Sequence, residues 1–220
     1  MISAPGNQVD ATVVYGVNQD GLTSDMTVIS NASCTTNSAS PIMQIMEEKL
    51  DVEKALLDTI HGYTATQALV DSPSRGSKDV RRGRAAAHNI IPSSTGAATS
   101  VTKAVEGIPF FDGIAVRVPV ITGSYADLTF VTRKDTSAEE VNEILREASK
   151  EERWKGVFTV TEEPLVSSDI IGNPHASIAD LAFTRVAGGN LVKVLSWYDN
   201  EAGYANSLLK HVIKTASHLK

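Results

Sequence analysis

The chain has 220 residues, 42% of them hydrophobic and 21% charged, with 15 glycines and 8 prolines, which is ordinary globular usage and excludes disorder, collagen and coiled coil. A formal net charge of −6 opposes a surface built on phosphate neutralisation, so nucleic acid is excluded as a main partner. One cysteine, Cys34, can close neither an internal disulfide nor a thiolate metal cage, and no apolar run approaches the roughly 18 residues of a spanning helix, so the expectation is a cytoplasmic chain with no metal and no membrane partner.

In chain order, short strands are predicted at 11–17 and 26–30 around the Asn18-Gln19-Asp20-Gly21 turn. From 35 to 50 the period becomes helical through Ile42, Ile45, Met46 and Leu50, with Pro41 expected to kink the helix or loosen its first turn. Residues 52–63 alternate as a strand, with Ala55, Leu57 and Thr59 on one side and Leu56, Asp58 and Ile60 on the other. The stretch 67–89, above all 71–79, has no period and reads as a long ordered loop, a class that is uncommon in compact domains unless functional or interfacial. A short helix follows Ser93-Ser94-Thr95-Gly96, then strands at 113–121 and 124–134. Ser137-Ala138-Glu139-Glu140 fits a capping box opening a helix with Val141, Ile144, Leu145 and Ala148 on one face. Further strands include a hairpin at Gly188-Gly189-Asn190 joining 178–186 to 191–198, and the chain closes on a helix from about 202 to 218 with the stripe Leu208, Leu209, Val212, Ile213. The predicted class is α+β, a mixed and mainly antiparallel sheet backed by helices.

Cys34 falls where a predicted strand turns into a predicted helix, among Ser33, Thr35, Thr36 and Asn37. Free N–H groups and the helix dipole favour a thiolate there, which predicts a pKa below the ordinary value of about 8.5; a small buried core residue is the alternative. A thiolate nucleophile needs a base. Of His61, His88, His175, His211 and His218, His61 is best placed, because a helix of about 16 residues runs some 24 Å out and a strand of about 10 residues can return some 33 Å. A satisfied strand-end histidine is equally compatible with that spacing. Thr64 and Thr66, then Ser93, Ser94, Thr95 and Gly96 before a helix, could present hydroxyls and amides to an anion. Arg117, flanked by Val116 and Val118, needs a partner if it points inward, and a phosphate would serve as well as a carboxylate. Together these groups suggest acyl chemistry on a phosphorylated substrate.

The run Ser30-Asn31-Ala32-Ser33-Cys34-Thr35-Thr36-Asn37 resembles the active-site signature of phosphorylating glyceraldehyde-3-phosphate dehydrogenases. His61-Gly62-Tyr63-Thr64, Asn89-Ile90-Ile91-Pro92-Ser93-Ser94-Thr95-Gly96, Arg117-Val118-Pro119-Val120 and Ser196-Trp197-Tyr198-Asp199-Asn200-Glu201 follow in that family's order. The resemblance implies that Cys34 adds to an aldehyde with His61 as general base, that hydride passes to NAD, and that inorganic phosphate releases the thioester as an acyl phosphate. It implies that Thr64 and Arg117, helped by Arg82, hold the phosphate of glyceraldehyde 3-phosphate, and that Ser33, Thr35, Thr95 and Gly96 receive the attacking phosphate. Asn200 would orient the nicotinamide and Tyr204 pack near it. Pro73, in a segment similar to the family's S-shaped intersubunit loop, points to NAD over NADP, and the family's homotetramer is the implied assembly.

The resemblance further divides the chain into remnant strands of a Rossmann NAD-binding domain at 1–33, a catalytic domain at 34–199 and a C-terminal helix at 200–220 that packs back on the Rossmann domain. No Gly-x-Gly-x-x-Gly follows a strand, so Met1 is expected to mark a fragment boundary, NAD binding to be impaired in this chain alone, and the 208–213 stripe to be uncovered. Thr99 and Ala202 stand where a lysine and a tryptophan are usual. Two other functions are compatible with the same residues: an NAD-independent thiol esterase or acyl phosphatase, and a non-catalytic assembly module.

Overall fold

The computed structural model describes residues 1–74 and 79–218; Arg75, Gly76, Ser77 and Lys78 of the predicted loop lie outside the described residues. Two short strands, β1 (Ala11–Thr12) and β2 (Ile29–Ser30), pair in parallel at the start. They lead into helix α1 (Cys34–Leu50) and strand β3 (Val52–Gly62). After the loop come β4 (Ile91–Ser94), α2 (Ala97–Ala104), β5 (Phe111–Val118), β6 (Ser124–Thr132) and α3 (Ala138–Ala148). The chain ends with β7 (Phe158–Thr161), β8 (Ser177–Ala187), β9 (Leu191–Tyr198) and α4 (Ala202–Ala216).

Seven strands form one sheet in the order β4-β5-β3-β6-β9-β8-β7, with β3–β5 and β7–β8 parallel and the other neighbours antiparallel. The mixed, mainly antiparallel class predicted from the sequence is the observed one. One face carries the helices: Ile42, Met43, Ile45 and Met46 of α1 bury completely against Leu57, Leu128 and Phe130 of the sheet and Val141 and Leu145 of α3. Truncating a leucine in this layer to alanine costs about 2–5 kcal/mol. The opposite face is open, and Leu56 and Ile114 remain more than half exposed there, which is the alternation of β3 read from its sequence.

Several predicted elements move at their edges. The strand predicted at 11–17 shortens to two residues because Val17 and Asn18 both donate to the Val14 carbonyl and turn the chain, with a 3-10 turn at Gln19–Gly21 after it. β5 stops at Val118, ahead of Pro119, since proline has no ladder donor. The run before α2, read as a helix approach, contains β4, whose Ser93 and Ser94 pair with Ala115 and Ile114. Pro92 is tolerated because β4 is the edge strand. α1 runs unbroken through Pro41, and what proline removes is the amide that would bond the Asn37 carbonyl. In the capping box, Ser137 Oγ accepts from the Glu140 amide, whereas the Glu140 carboxylate takes a hydrogen bond from Thr136 Oγ1.

Candidate active site

The site forms where the C-terminal end of β3 meets the N-terminus of α1. Ser33 is the N-cap of α1, its Oγ accepting from the Thr36 amide at 3.1 Å, so Cys34 is the first helical residue and its N–H needs no intrahelical acceptor. β3 returns along the helix layer and delivers His61 to the same end. Its neighbours are set by register, since Arg117 of β5, Ser124 of β6 and, beyond Ser124, Tyr198 of β9 stand in one row across the sheet with it. Cys34 Sγ lies 3.4 Å from His61 Nε2.

The protonation of this pair follows from its surroundings. His61 Nδ1 lies 2.6 Å from the Gly62 carbonyl, and the tautomer with its hydrogen on Nδ1 satisfies that carbonyl and leaves the Nε2 lone pair facing the sulfur. Arg117 Nη1 stands 2.8 Å from Nδ1 and donates to the same carbonyl at 3.1 Å. Burial, and then the adjacent Arg117 charge, pull the His61 pKa down to about 4. Burial also pushes the Cys34 thiol up, against the opposing pull of the Thr35 amide and Arg117. The predicted lowering of the Cys34 pKa is therefore corrected: loss of water around a partly buried sulfur outweighs the helix N-terminus. In that His61 tautomer the resting pair is a thiol donating to a neutral imidazole, with the base already in place to take the proton as sulfur attacks.

A cavity of about 380 Å³ opens in front of the sulfur. Ser33, Thr35, Thr64 and Arg117 line it, and Thr95 and Gly96 reach it from the start of α2. Arg82 reaches it as well, donating to Thr66 Oγ1 at 3.0 Å. Arg117 Nε is buried without a hydrogen-bond partner among the described residues, and both guanidinium groups line a space rimmed by hydroxyls. Thr35 differs from its predicted role in orientation. Its hydroxyl bonds the Tyr198 hydroxyl at 2.9 Å, which in turn bonds Thr59 Oγ1 at 2.8 Å, so the Thr35 side chain anchors the helix start to the sheet. Larger hollows over the open sheet face, around Phe110 and Leu56, have neither cysteine nor histidine among the described residues that line them.

Asn200 joins the cavity rim. Its Oδ1 accepts from the Gly123 amide and Ser124 Oγ, each at 3.1 Å, which leaves the amide nitrogen as the end available to a ligand. Tyr204 is not on the cavity wall; its hydroxyl donates to the Ala32 carbonyl at 3.2 Å, just before the nucleophile. Sequence reasoning missed Ser124, which is buried and also accepts from the Gly62 amide at 3.3 Å. That serine links the Asn200 side to the His61 side, and the strand alternation that turns it inward was readable. It also missed Ala32, whose φ of 56° is a left-handed conformation that costs an alanine roughly 1 kcal/mol. Among the described residues, no cluster of three or more His, Cys, Asp or Glu side chains could hold a metal, and no helix is long and apolar enough to cross a membrane.

Comparison with known proteins agrees with this geometry. Residues 33–200 match the family model for the glyceraldehyde 3-phosphate dehydrogenase C-terminal domain. Curated glyceraldehyde-3-phosphate dehydrogenases are similar over nearly the whole chain. The Thermotoga maritima protein is 49% identical over 95% of this chain and 62% of its own length, and the Mycobacterium avium protein 45% identical over 95% and 60%. The Zymomonas mobilis protein is 41% identical over 100% of this chain and 65% of its own length. The chain thus spans less than two thirds of the length of these curated relatives. It belongs to the glyceraldehyde-3-phosphate dehydrogenase family, and residues 33–200 correspond to that family's C-terminal domain.

Proposed function

We propose that this chain carries the thioester-forming half of a phosphorylating aldehyde dehydrogenase acting on glyceraldehyde 3-phosphate. The observation that carries the reading is the Cys34 Sγ to His61 Nε2 contact at 3.4 Å inside a cavity lined by Arg117, Thr64 and the start of α2. As Cys34 sulfur bonds to the aldehyde carbon, its proton passes to His61 Nε2. The oxyanion that develops lies against the amide of Cys34, at the N-terminus of α1, and the protonated His61. NAD, when bound, accepts the hydride that leaves this carbon, so the aldehyde is oxidised by two electrons. His61 lends that same proton to the oxyanion as the hemithioacetal hydroxyl forms and takes it back as the carbonyl re-forms in a Cys34 thioester. Attack by a phosphate oxygen breaks the carbon–sulfur bond, the thiolate leaves, and the product is an acyl phosphate.

Arg117 and Thr64, with Arg82 beside them, hold the substrate's phosphate; Ser33, Thr95 and Gly96 receive the inorganic phosphate, with the Thr35 amide as the contribution left to that residue. The residues present fit the nicotinamide end of NAD, because Asn200 has its oxygen locked and its amide nitrogen free among the described residues, with Tyr204 packed beside the Cys34 turn. In this reading 1–33 and 200–220 are the segments that face a nucleotide-binding domain, 34–199 is the catalytic domain, and the working assembly is the homotetramer in the cytoplasm.

The test is NADH absorbance on mixing this chain with glyceraldehyde 3-phosphate, NAD and phosphate. Aldehyde-dependent reduction that disappears in Cys34→Ala supports the reading. A second reading is favoured by one observation: the nucleophile, base and anion-facing arginines are all contained in this chain. Turnover of an activated ester such as p-nitrophenyl acetate, lost in Cys34→Ala and without any NAD reduction, marks a thiol acyl-transfer activity and sinks the dehydrogenase assignment for the chain alone.

A further inference from the structure

The inner face of α4 is polar although it is buried. Ser207 and His211 are among the least exposed residues of the chain, while Leu209, Val212 and Ile213 on the other side stand in solvent. Tyr204, Ser207 and His211 follow one another at helical spacings of three and four residues, so they form one stripe. All three end on the segment that carries Cys34. Tyr204 donates to the Ala32 carbonyl, Ser207 Oγ donates to Asn37 Oδ1 at 2.5 Å, and His211 Nδ1 lies 2.9 Å from Asn31 Oδ1. Since Asn31 Oδ1 can only accept, His211 carries its hydrogen on Nδ1.

Asn37 is the centre of this arrangement. Its Nδ2 donates to the carbonyls of Asn31 at 2.8 Å and Ser33 at 2.9 Å, the two residues on either side of the left-handed Ala32. An amide can grip two carbonyls only with its nitrogen turned toward them, and the flipped amide would set oxygen against oxygen. The two carbonyls set which way the amide faces, and the Ser207 hydroxyl, donating to Oδ1, ties that amide to α4. The Ala32 amide is held separately by Ser30 Oγ at 3.0 Å.

We propose that Ser207 of α4 is a positioning residue for the nucleophile, holding the Asn37 amide so that the Ala32 turn keeps Cys34 Sγ aimed at His61, with His211 and Asn31 as a second tie of the same kind. This rests on the reading of Cys34 and His61 as a reacting pair, but its readout does not need aldehyde oxidation. A small uncharged alkylating agent, iodoacetamide, reports the Cys34 thiol directly, and its rate against pH reports the coupling of that thiol to His61.

The experiment compares the full chain with Ser207→Ala, Ser207→Thr and Leu209→Ala, taking an alkylation pH profile and a thermal melt for each. Ser207→Ala should lower the alkylation rate near pH 8 by roughly tenfold and change the shape of the profile, since displacements on the order of 1 Å at a reacting pair cost up to about 100-fold. Ser207→Thr, which keeps the hydroxyl, should restore the profile. Leu209→Ala should leave it unchanged, because that side chain is exposed. A profile that follows melting temperature across the set, whatever the group at 207, overturns the proposal, as does a folded Ser207→Ala with unaltered alkylation. Altered alkylation in a chain that reduces no NAD supports the positioning role and fails only the dehydrogenase reading.

Discussion

Arg117 and His61 are register partners on the parallel strands β5 and β3, and Arg117 Nη1 stands 2.8 Å from His61 Nδ1. A fixed cation beside a buried imidazole disfavours the imidazolium, and the same cation favours a thiolate at Cys34. One arginine therefore lowers the pKa of both members of the pair. Replacing it should move both upward. In Arg117→Leu the His61 titration, followed through its ring proton resonances, is expected to rise from about 4, while Cys34 alkylation shifts to higher pH. At a fixed pH near 8 the alkylation rate should fall several-fold, as about tenfold accompanies each pKa unit when the thiolate is a minor species. Movement of the two groups in opposite directions would refute the shared-cation account.

Anion binding should act on His61 with the same sign. A phosphate bound against Arg117 supplies negative charge that offsets the guanidinium field, so the imidazolium becomes less costly. Titrating the chain with inorganic phosphate at constant ionic strength is expected to raise the His61 pKa saturably. An unchanged His61 titration at saturating phosphate would mean that the cavity does not hold the anion beside Arg117.

Acid stability follows from two buried histidines. Burial pulls His211, like His61, down to about 4, whereas an unfolded histidine titrates near 6.5. As pH falls through 6.5 the unfolded chain takes up protons that the folded chain refuses, so the stabilisation, complete above 6.5, is lost progressively until about pH 4. Each such group accounts for about 3 kcal/mol of that loss. Urea unfolding measured between pH 7 and 4 should show it, and His211→Gln, which cannot take up the proton, should flatten the slope by roughly half. An unchanged slope in that variant would remove His211 from the account and leave the acid sensitivity to His61 and the carboxylates.

What was legible in the sequence depended on whether one residue's surroundings were local. α1, β3 and the β8–β9 hairpin carry their own period or turn residues, and the lengths of a helix and a returning strand allowed the Cys34–His61 juxtaposition without requiring it. The sign of the Cys34 pKa was not legible, because the helix N-terminus is visible in the local sequence and the burial that outweighs it is created by distant elements. β4 escaped notice since four residues containing Pro92 look like a loop until β5 lies alongside. Ser207 and His211 were hidden by the opposite face of their own helix: the apolar stripe at 208–213 attracts attention, yet the buried side of α4 is the polar one.

That inversion governs how the chain behaves in solution. Leu209 is 57% exposed and Ile213 64%, with Val212 between them at 45%, and these three form a contiguous apolar strip along α4. Strips of this kind promote association. Because each side chain already lies in water, replacing Leu209 and Ile213 with glutamine removes little packing and should change folding stability by no more than about 0.5 kcal/mol per site. Self-association should fall markedly, and sedimentation velocity across a concentration series is the measurement. The open sheet face, where Leu56 and Ile114 are exposed, is a second source of association, and Leu56→Gln separates the two. If the α4 variant sediments as the parent does while Leu56→Gln dissociates, association runs through the sheet face; if neither changes the sedimentation of an associating parent, both assignments fail.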